Sequence, residues 1–352
     1  MFKKLSTLLL LFTLWQCNPP VDEDGQNSSG KEPKKESNAN QNATQSESSL
    51  DSLSFGNQKN QGTVEDYVTQ ARALLKNKQG QKAFLTLLKA KKIDSIYPPF
   101  LQVLGEYQLD LNKSRQAKEA WLKCLKYDAK NIPCRINLGK LFFAVSDYKT
   151  SINYFNEVIK LDAYNAEAVF YKGLILRDFY KDTAKAKQFV QQAIELKQDY
   201  VEALDVMGVL MSLTQDTLAP FYYKRAIVYS PNNADLYYKL GVYYMNADET
   251  NRAIEAYTKA TQINPRHADS YYNLGFMFIG LKDYPTAKGY FSKAIAAQER
   301  NYKALYGRGY AFEMLGDVIN AKKDYRNALE ALPMYKPAAD AIARINKREQ
   351  GS

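Results

Sequence analysis

Residues 234–267 read ADLYYKLGVYYMNADETNRAIEAYTKATQINPRH. Tyr237, Leu240, Gly241 and Tyr244 mark the first half at helical intervals. Ala253, Tyr257 and Ala260 do so in the second half, and Pro265 closes the stretch. Such spacing sets an apolar stripe along one face of a helix. Proline lacks the N–H that would continue the second helix. The stretch predicts two antiparallel helices joined by a short polar turn.

The same pattern extends outward in both directions. Gly105, Gly139, Gly173, Gly208, Gly241, Gly275 and Gly309 recur at intervals of 34, 34, 35, 33, 34 and 34, with Ala71 standing 34 before the first. A second ladder runs through Ala83, Ala117, Ser151, Ala186, Ala219, Ala253, Ala287 and Ala321. A third runs through Ala90, Cys124, Val158, Ala193, Ala226, Ala260, Ala294 and Ala328. All three shift together, which places a one-residue insertion in the fourth unit and a deletion in the fifth. A fixed period in the thirties is the mark of a stacked array in which each unit buries its apolar face on its neighbours.

Small residues let two helix axes approach, so Gly or Ala on the first helix is expected to face Ala on the second. Tyr271, Leu274, Phe278 and Phe291 fill the flanking holes in the seventh unit as Tyr237, Leu240, Tyr244 and Tyr257 do in the sixth. Pro231 and Pro333 close their units like Pro265. Glu167, Glu202, Asp235 and Asp269 open first helices, where the positive end of the helix dipole favours an acid.

A large residue, Leu-Gly, an aromatic, Ala, an aromatic, Ala and Pro within 34 residues resembles the tetratricopeptide repeat. Residues 234–267 match it at every one of those positions. The resemblance covers eight units, 64–97, 98–131, 132–165, 166–200, 201–233, 234–267, 268–301 and 302–335. The first is least regular, with Gln70 where Leu is usual and no closing proline. It implies an all-α fold, an α-solenoid wound as a right-handed superhelix of helix-turn-helix units. A cap helix, Pro337 to Lys347, lies within residues 336–352 and covers the last apolar face.

The chain before the array is of another kind. Lys3 and Lys4 precede an apolar run from Leu5 to Trp15, too short to span a bilayer and laid out as a secretory signal over residues 1–16. Leu14-Trp15-Gln16-Cys17 resembles a lipobox, with Trp15 and Gln16 departing from the usual small residues; the resemblance implies lipidation of Cys17. Permissive sequences of this kind look like those of spirochaetes and Bacteroidota. Residues 17–63 are rich in Asn, Gln, Ser, Lys and Glu and cannot bury enough surface to offset their ordering entropy. They are expected to be a flexible tether of about 35–40 Å r.m.s. length. An exported, lipid-anchored protein of the bacterial cell envelope is the expectation, outer membrane ahead of inner.

The formal charge is +10 and scattered along helices and turns, without a dense Arg block. Anionic headgroups or an acidic partner suit it weakly; nucleic acid is not an expected partner of an exported chain. Cys124 sits on the small-residue ladder and reads as a buried substitute for Ala. Cys134 follows early in the next helix, and the two are candidates to bridge in an oxidising compartment. Metal binding lacks ligands, and no cofactor motif appears. His267 is the one histidine, in a turn, with no nucleophile-and-base pattern near it. No catalytic role is expected.

Function then falls to the surface of the stack. In tetratricopeptide arrays the first helices line a concave groove, through the fifth, ninth and twelfth positions of each unit. Carried over here, the early units present Arg72, Gln102, Glu106 and Lys140, a mixed polar wall. Units six to eight present Tyr238, Val242, Met245, Tyr272, Phe276, Ile279, Tyr306 and Tyr310, an aromatic ridge with Tyr suited to hot spots. The carboxylate clamp of chaperone-tail binders is not reproduced: Asn273 and Lys303 fall at two of its positions, but Tyr238, Val242 and Gly307 occupy the rest. The expected partner is an extended or helical protein segment with apolar anchors. Self-association through the same ridge is a further expectation. The alternative of another class is a protein that binds peptidoglycan or regulates cell-wall enzymes.

Overall fold

The computed structural model describes residues 62–350, and the signal, Cys17 and most of the tether lie outside them. The described residues form seventeen helices and no strand. They divide into two compact units, one ending at Leu111 and one beginning at Asn112. In the first, α1 (Val64–Lys76), α2 (Gly80–Ile93) and α3 (Pro98–Asp110) pack on one another.

The second unit begins with α4 (Ser114–Tyr127). It continues with the pairs α5 (Ile132–Ala144) and α6 (Tyr148–Leu161), α7 (Ala166–Asp178) and α8 (Thr183–Leu196), and α9 (Val201–Ser212) and α10 (Ala219–Tyr229). Three more pairs follow: α11 (Ala234–Asn246) and α12 (Thr250–Ile263), α13 (Ala268–Gly280) and α14 (Tyr284–Ala297), and α15 (Tyr302–Met314) and α16 (Val318–Ala331). The closing helix α17 runs Lys336–Gln350, a turn longer than the amphipathic stretch suggested, and buries Ala338, Ala341 and Ile345. From α6 onward each second helix packs on its own first helix, and every second helix from α4 onward packs on the first helix that follows it. First helices also touch in succession, α5 with α7, α9 with α11 and α13 with α15, whereas second helices make no comparable contact. The first helices are therefore the inner layer of this unit and the second helices the outer one.

The glycine ladder has a different physical cause from the one expected. A Cβ on Gly241 would meet the Tyr257 ring at 2.7 Å, and one on Gly208 would meet Tyr223 at 2.6 Å. Gly139 stands in the same way under Phe155, and Gly309 under Tyr325. The missing side chain makes room for the aromatic of the second helix, and Ala on that helix is a secondary partner. Ser151 on the alanine ladder does reach across, donating to the Gly139 carbonyl at 2.8 Å.

The insertion lies in the turn of the fourth repeat, where Tyr180 and Lys181 lengthen the link between α7 and α8. The deletion removes part of the first turn of α10, which spans 11 residues where its counterparts span 14. Every turn within a repeat holds one residue with positive φ, and apart from Gly316 these are not glycines. Lys282 is one of them (φ 61). An L side chain in the left-handed region costs about 1–2 kcal/mol, so Lys282→Gly is expected to stabilise the protein by about 1 kcal/mol, read by chemical denaturation.

Cys124 of α4 and Cys134 of α5 form a disulfide with Cα atoms 6.7 Å apart, both fully buried. Of the two readings of these cysteines, the bridge is the one the structure takes, because the ladder position of Cys124 faces the first turn of the next helix. Asn131 fixes that turn by accepting from the Cys134 N–H at 3.0 Å. Removing the bridge is expected to cost about 2–3 kcal/mol for so short a loop. Thermal melts with and without reductant should separate for the wild type and superpose for Cys124→Ala/Cys134→Ala.

Candidate functional site

The inner layer of repeats five to eight is the candidate interface. A residue seven places after the acid of the first turn returns to the same face two turns on. That relation pairs Glu202 with Val209, Asp235 with Val242 and Asp269 with Phe276, and Tyr310 continues the apolar row into the eighth repeat. Phe276 stands out of this surface with 42% of its area exposed, while Val209, Val242 and Tyr310 are half-buried.

The other aromatic candidates lean into the seams between helices. The Tyr238 ring lies 5.0 Å from His267 and 5.9 Å from Tyr257. Val242 and Met245 pack on the same core, where Met245 Sδ accepts from the Tyr257 hydroxyl at 3.7 Å. Tyr272 lies 5.8 Å from Phe291, and Ile279 packs beside that ring. Tyr306 sits between Tyr325 at 5.4 Å and Tyr335 at 5.5 Å. Tyr310 meets Tyr284 edge-on at 6.5 Å. Of the eight only Phe276 is exposed, so the ridge is a row of partly covered side chains with one projecting ring.

Burial, with a smaller contribution from the Asp269 charge, pushes the Tyr238 and Tyr272 hydroxyls up to about 12 each. The unfolded chain releases these protons near pH 10 while the native state keeps them, so stability falls as pH rises from about 10 to 12. Both phenols are neutral donors at physiological pH. Asn273, one of the two clamp-like residues, is buried.

The early polar residues are engaged in hydrogen bonds and an ion pair. Arg72 donates to Gln102 at 3.3 Å and Gln102 to Glu106 at 2.9 Å. Lys140 of the third repeat donates to Glu167 at 3.0 Å. His267 caps α13: its Nδ1 accepts from the Ser270 N–H at 3.2 Å, and Nε2 faces Asp235 at 3.1 Å. The ring occupies the place of Asn233 and Asn301, which cap α11 and α15. Asp235 and Asp269 keep their place in the first turn and also project from the inner layer as exposed acids. The helix dipole alone does not account for that exposure. Their 34-residue repeat beside Val242 and Phe276 was the available signal, and Val209 was missed although it stands 33 residues before Val242.

At the end of the array Glu313 holds α17 in place. It accepts from Arg344 at 2.7 Å and from the Tyr325 hydroxyl at 2.8 Å, so the twelfth position of the last repeat is covered. Among the described residues no group of three or more His, Cys, Asp or Glu could hold a metal ion. No helix there is long and apolar enough to cross a membrane.

Paired helices with a continuous inner face define a repeat protein of the helix-pair class. Residues 234–267 match one sequence model of the tetratricopeptide repeat and residues 256–289 match another. Both matches lie within residues 234–289, and the helix-pair geometry there recurs in the repeats on either side. The matched models describe a repeat and not a catalytic domain. No curated protein matches the sequence. Among solved structures, the chain is similar to the C-terminal part of a TPR repeat-containing protein from Cytophaga hutchinsonii, at 18% identity and TM-score 0.55, over 67% of this chain and 97% of that one. It is also similar to pilF of Pseudomonas aeruginosa, at 18% identity and TM-score 0.51, over 57% and 92%. At that identity the likeness is one of fold. Tetratricopeptide scaffolds bind other proteins, and an interaction role is the reading this fold supports.

Proposed function

We propose that the chain is a membrane-anchored adaptor of the bacterial cell envelope that holds a partner protein segment on the inner face of repeats five to eight. The observation that carries the reading is Phe276, an aromatic side chain left projecting from a row in which its neighbours are partly covered. Val209, Val242 and Tyr310 give that row length, and Glu202, Asp235 and Asp269 line it with acid. A segment with apolar anchors flanked by Lys or Arg is the complement. The anchor is Cys17, which follows the signal-like run. A buried disulfide suits export to an oxidising compartment, since cytosolic thiols are kept reduced.

Phe276→Glu is expected to weaken capture of the bound partner by at least about tenfold, the scale of a hot-spot loss. The thermal midpoint should stay close to wild type, because the side chain is half in solvent. Unchanged capture by the folded variant would remove the inner face from the account. The anchor is tested separately: mass spectrometry of the mature N-terminus should find acyl chains on Cys17, and Cys17→Ser should leave the membrane fraction.

A further inference from the structure

Charge is sorted between the two layers of the unit that begins at Asn112. The seven second helices, α4 to α16 by twos, carry seventeen Lys and Arg against six Asp and Glu. The six first helices, α5 to α15, carry seven of each. The positive excess therefore belongs to the outer layer, opposite the proposed groove. Arg225, Lys259 and Lys293 stand one repeat apart on successive outer helices, and neither α10 nor α14 contains an acid.

The shortened helix α10 adds apolar surface to that charge. Leu218, Phe221, Arg225 and Val228 fall at three- and four-residue steps, which sets them on one face. Phe221 is 51% exposed and Val228 74% exposed, values of side chains left in water by the fold. Lys224 is exposed between them, and the Arg225 guanidinium lies 5.6 Å over the Phe221 ring. Leu218 before the helix and Tyr229 at its end are exposed as well.

A soluble polyanion would engage the cations and leave Phe221 and Val228 in water. A lipid interface takes both, the rings and aliphatic groups at the headgroup boundary and the cations among the phosphates. We propose that the outer layer of residues 112–350, led by α10, is a contact surface for an anionic lipid bilayer. The two layers then serve two partners, a protein segment inside and a membrane outside. The surface requires no lipid on Cys17, and it stands whether or not the groove binds a peptide.

The test is sedimentation of the full chain with vesicles of phosphatidylglycerol and phosphatidylcholine in equal parts, against phosphatidylcholine alone, in about 50 mM salt. Each basic residue near such a surface contributes on the order of 1 kcal/mol, so Lys224→Glu/Lys259→Glu/Lys293→Glu is expected to weaken binding to the anionic vesicles more than tenfold. Phe221→Ser/Val228→Ser is expected to weaken it several-fold, and Phe276→Glu on the inner layer to leave it unchanged. All the chains share one N-terminal segment, so membrane contact by residues 1–61 is common to them. Circular dichroism melts confirm that each variant is folded. Equal binding by wild type and both outer-layer variants overturns the proposal. Loss in the charge variant alone also overturns it and points to a soluble polyanion as the partner.

Discussion

Asp324→Ala is expected to destabilise the C-terminal repeats by about 3–5 kcal/mol. Arg308 stands on α15 at the position that Leu240 and Leu274 hold in the two repeats before it. Its Nε donates to Asp324 at 2.7 Å and its Nη2 at 2.8 Å, and Nη1 reaches Ser292 at 3.4 Å. The Asp324 side chain is 4% exposed, so the pair is bidentate and largely shielded from water. Removing the carboxylate leaves a guanidinium in that place with no counter-charge, and it is this uncompensated charge that costs most. Replacing both partners removes the problem. Arg308→Leu/Asp324→Ala is expected to recover most of the loss, since a buried pair is often neutral against well-packed apolar groups. Because repeats hold only their neighbours, hydrogen exchange should show the loss in α15, α16 and α17 first. Equal destabilisation of the single and double variants would contradict this account of the pair.

Phe291→Ala is expected to cost about 3–5 kcal/mol. The ring is 1% exposed and lies between two glycines on consecutive first helices. A Cβ on Gly275 would stand 2.8 Å from it, and one on Gly307 2.5 Å. The same aromatic thus fastens α14 both to its own partner and to the next repeat. Gly307→Ala alone should cost about 1–3 kcal/mol by overpacking. In the Phe291→Ala background the added methyl has room, and its cost should vanish or change sign. Additive effects measured by denaturation would show that Gly307 and the ring do not share the space the structure gives them.

The fold was legible because three ladders shift together through one insertion and one deletion, which no single active site would produce. The cause of the glycine ladder was less legible. Periodicity shows that a position must be small but not what presses on it, and here it is the ring of Tyr257, Tyr223 or Phe291. The inner face was legible as a set of positions. It did not show how far each ring leans over: Tyr272 rests on Phe291 and Tyr306 fits between Tyr325 and Tyr335, whereas Phe276 projects. Such differences depend on side chains later in the same repeat, 19 to 29 residues on in sequence. The cysteine pair lay open for the same reason. Its two positions were known, but whether the sulfurs meet is set by the packing of α4 on α5.

The inner row of repeats five to eight is either a binding surface or only a seam between helices. A photo-crosslinking residue at Phe276 in living cells tests this directly, with Ile319 on the outer helix α16, exposed to solvent, as the control position. A binding surface gives a discrete protein adduct at Phe276, reduced by Val242→Ser/Tyr310→Ser and absent at Ile319. A peptidoglycan adduct, or none above the control, would contradict it.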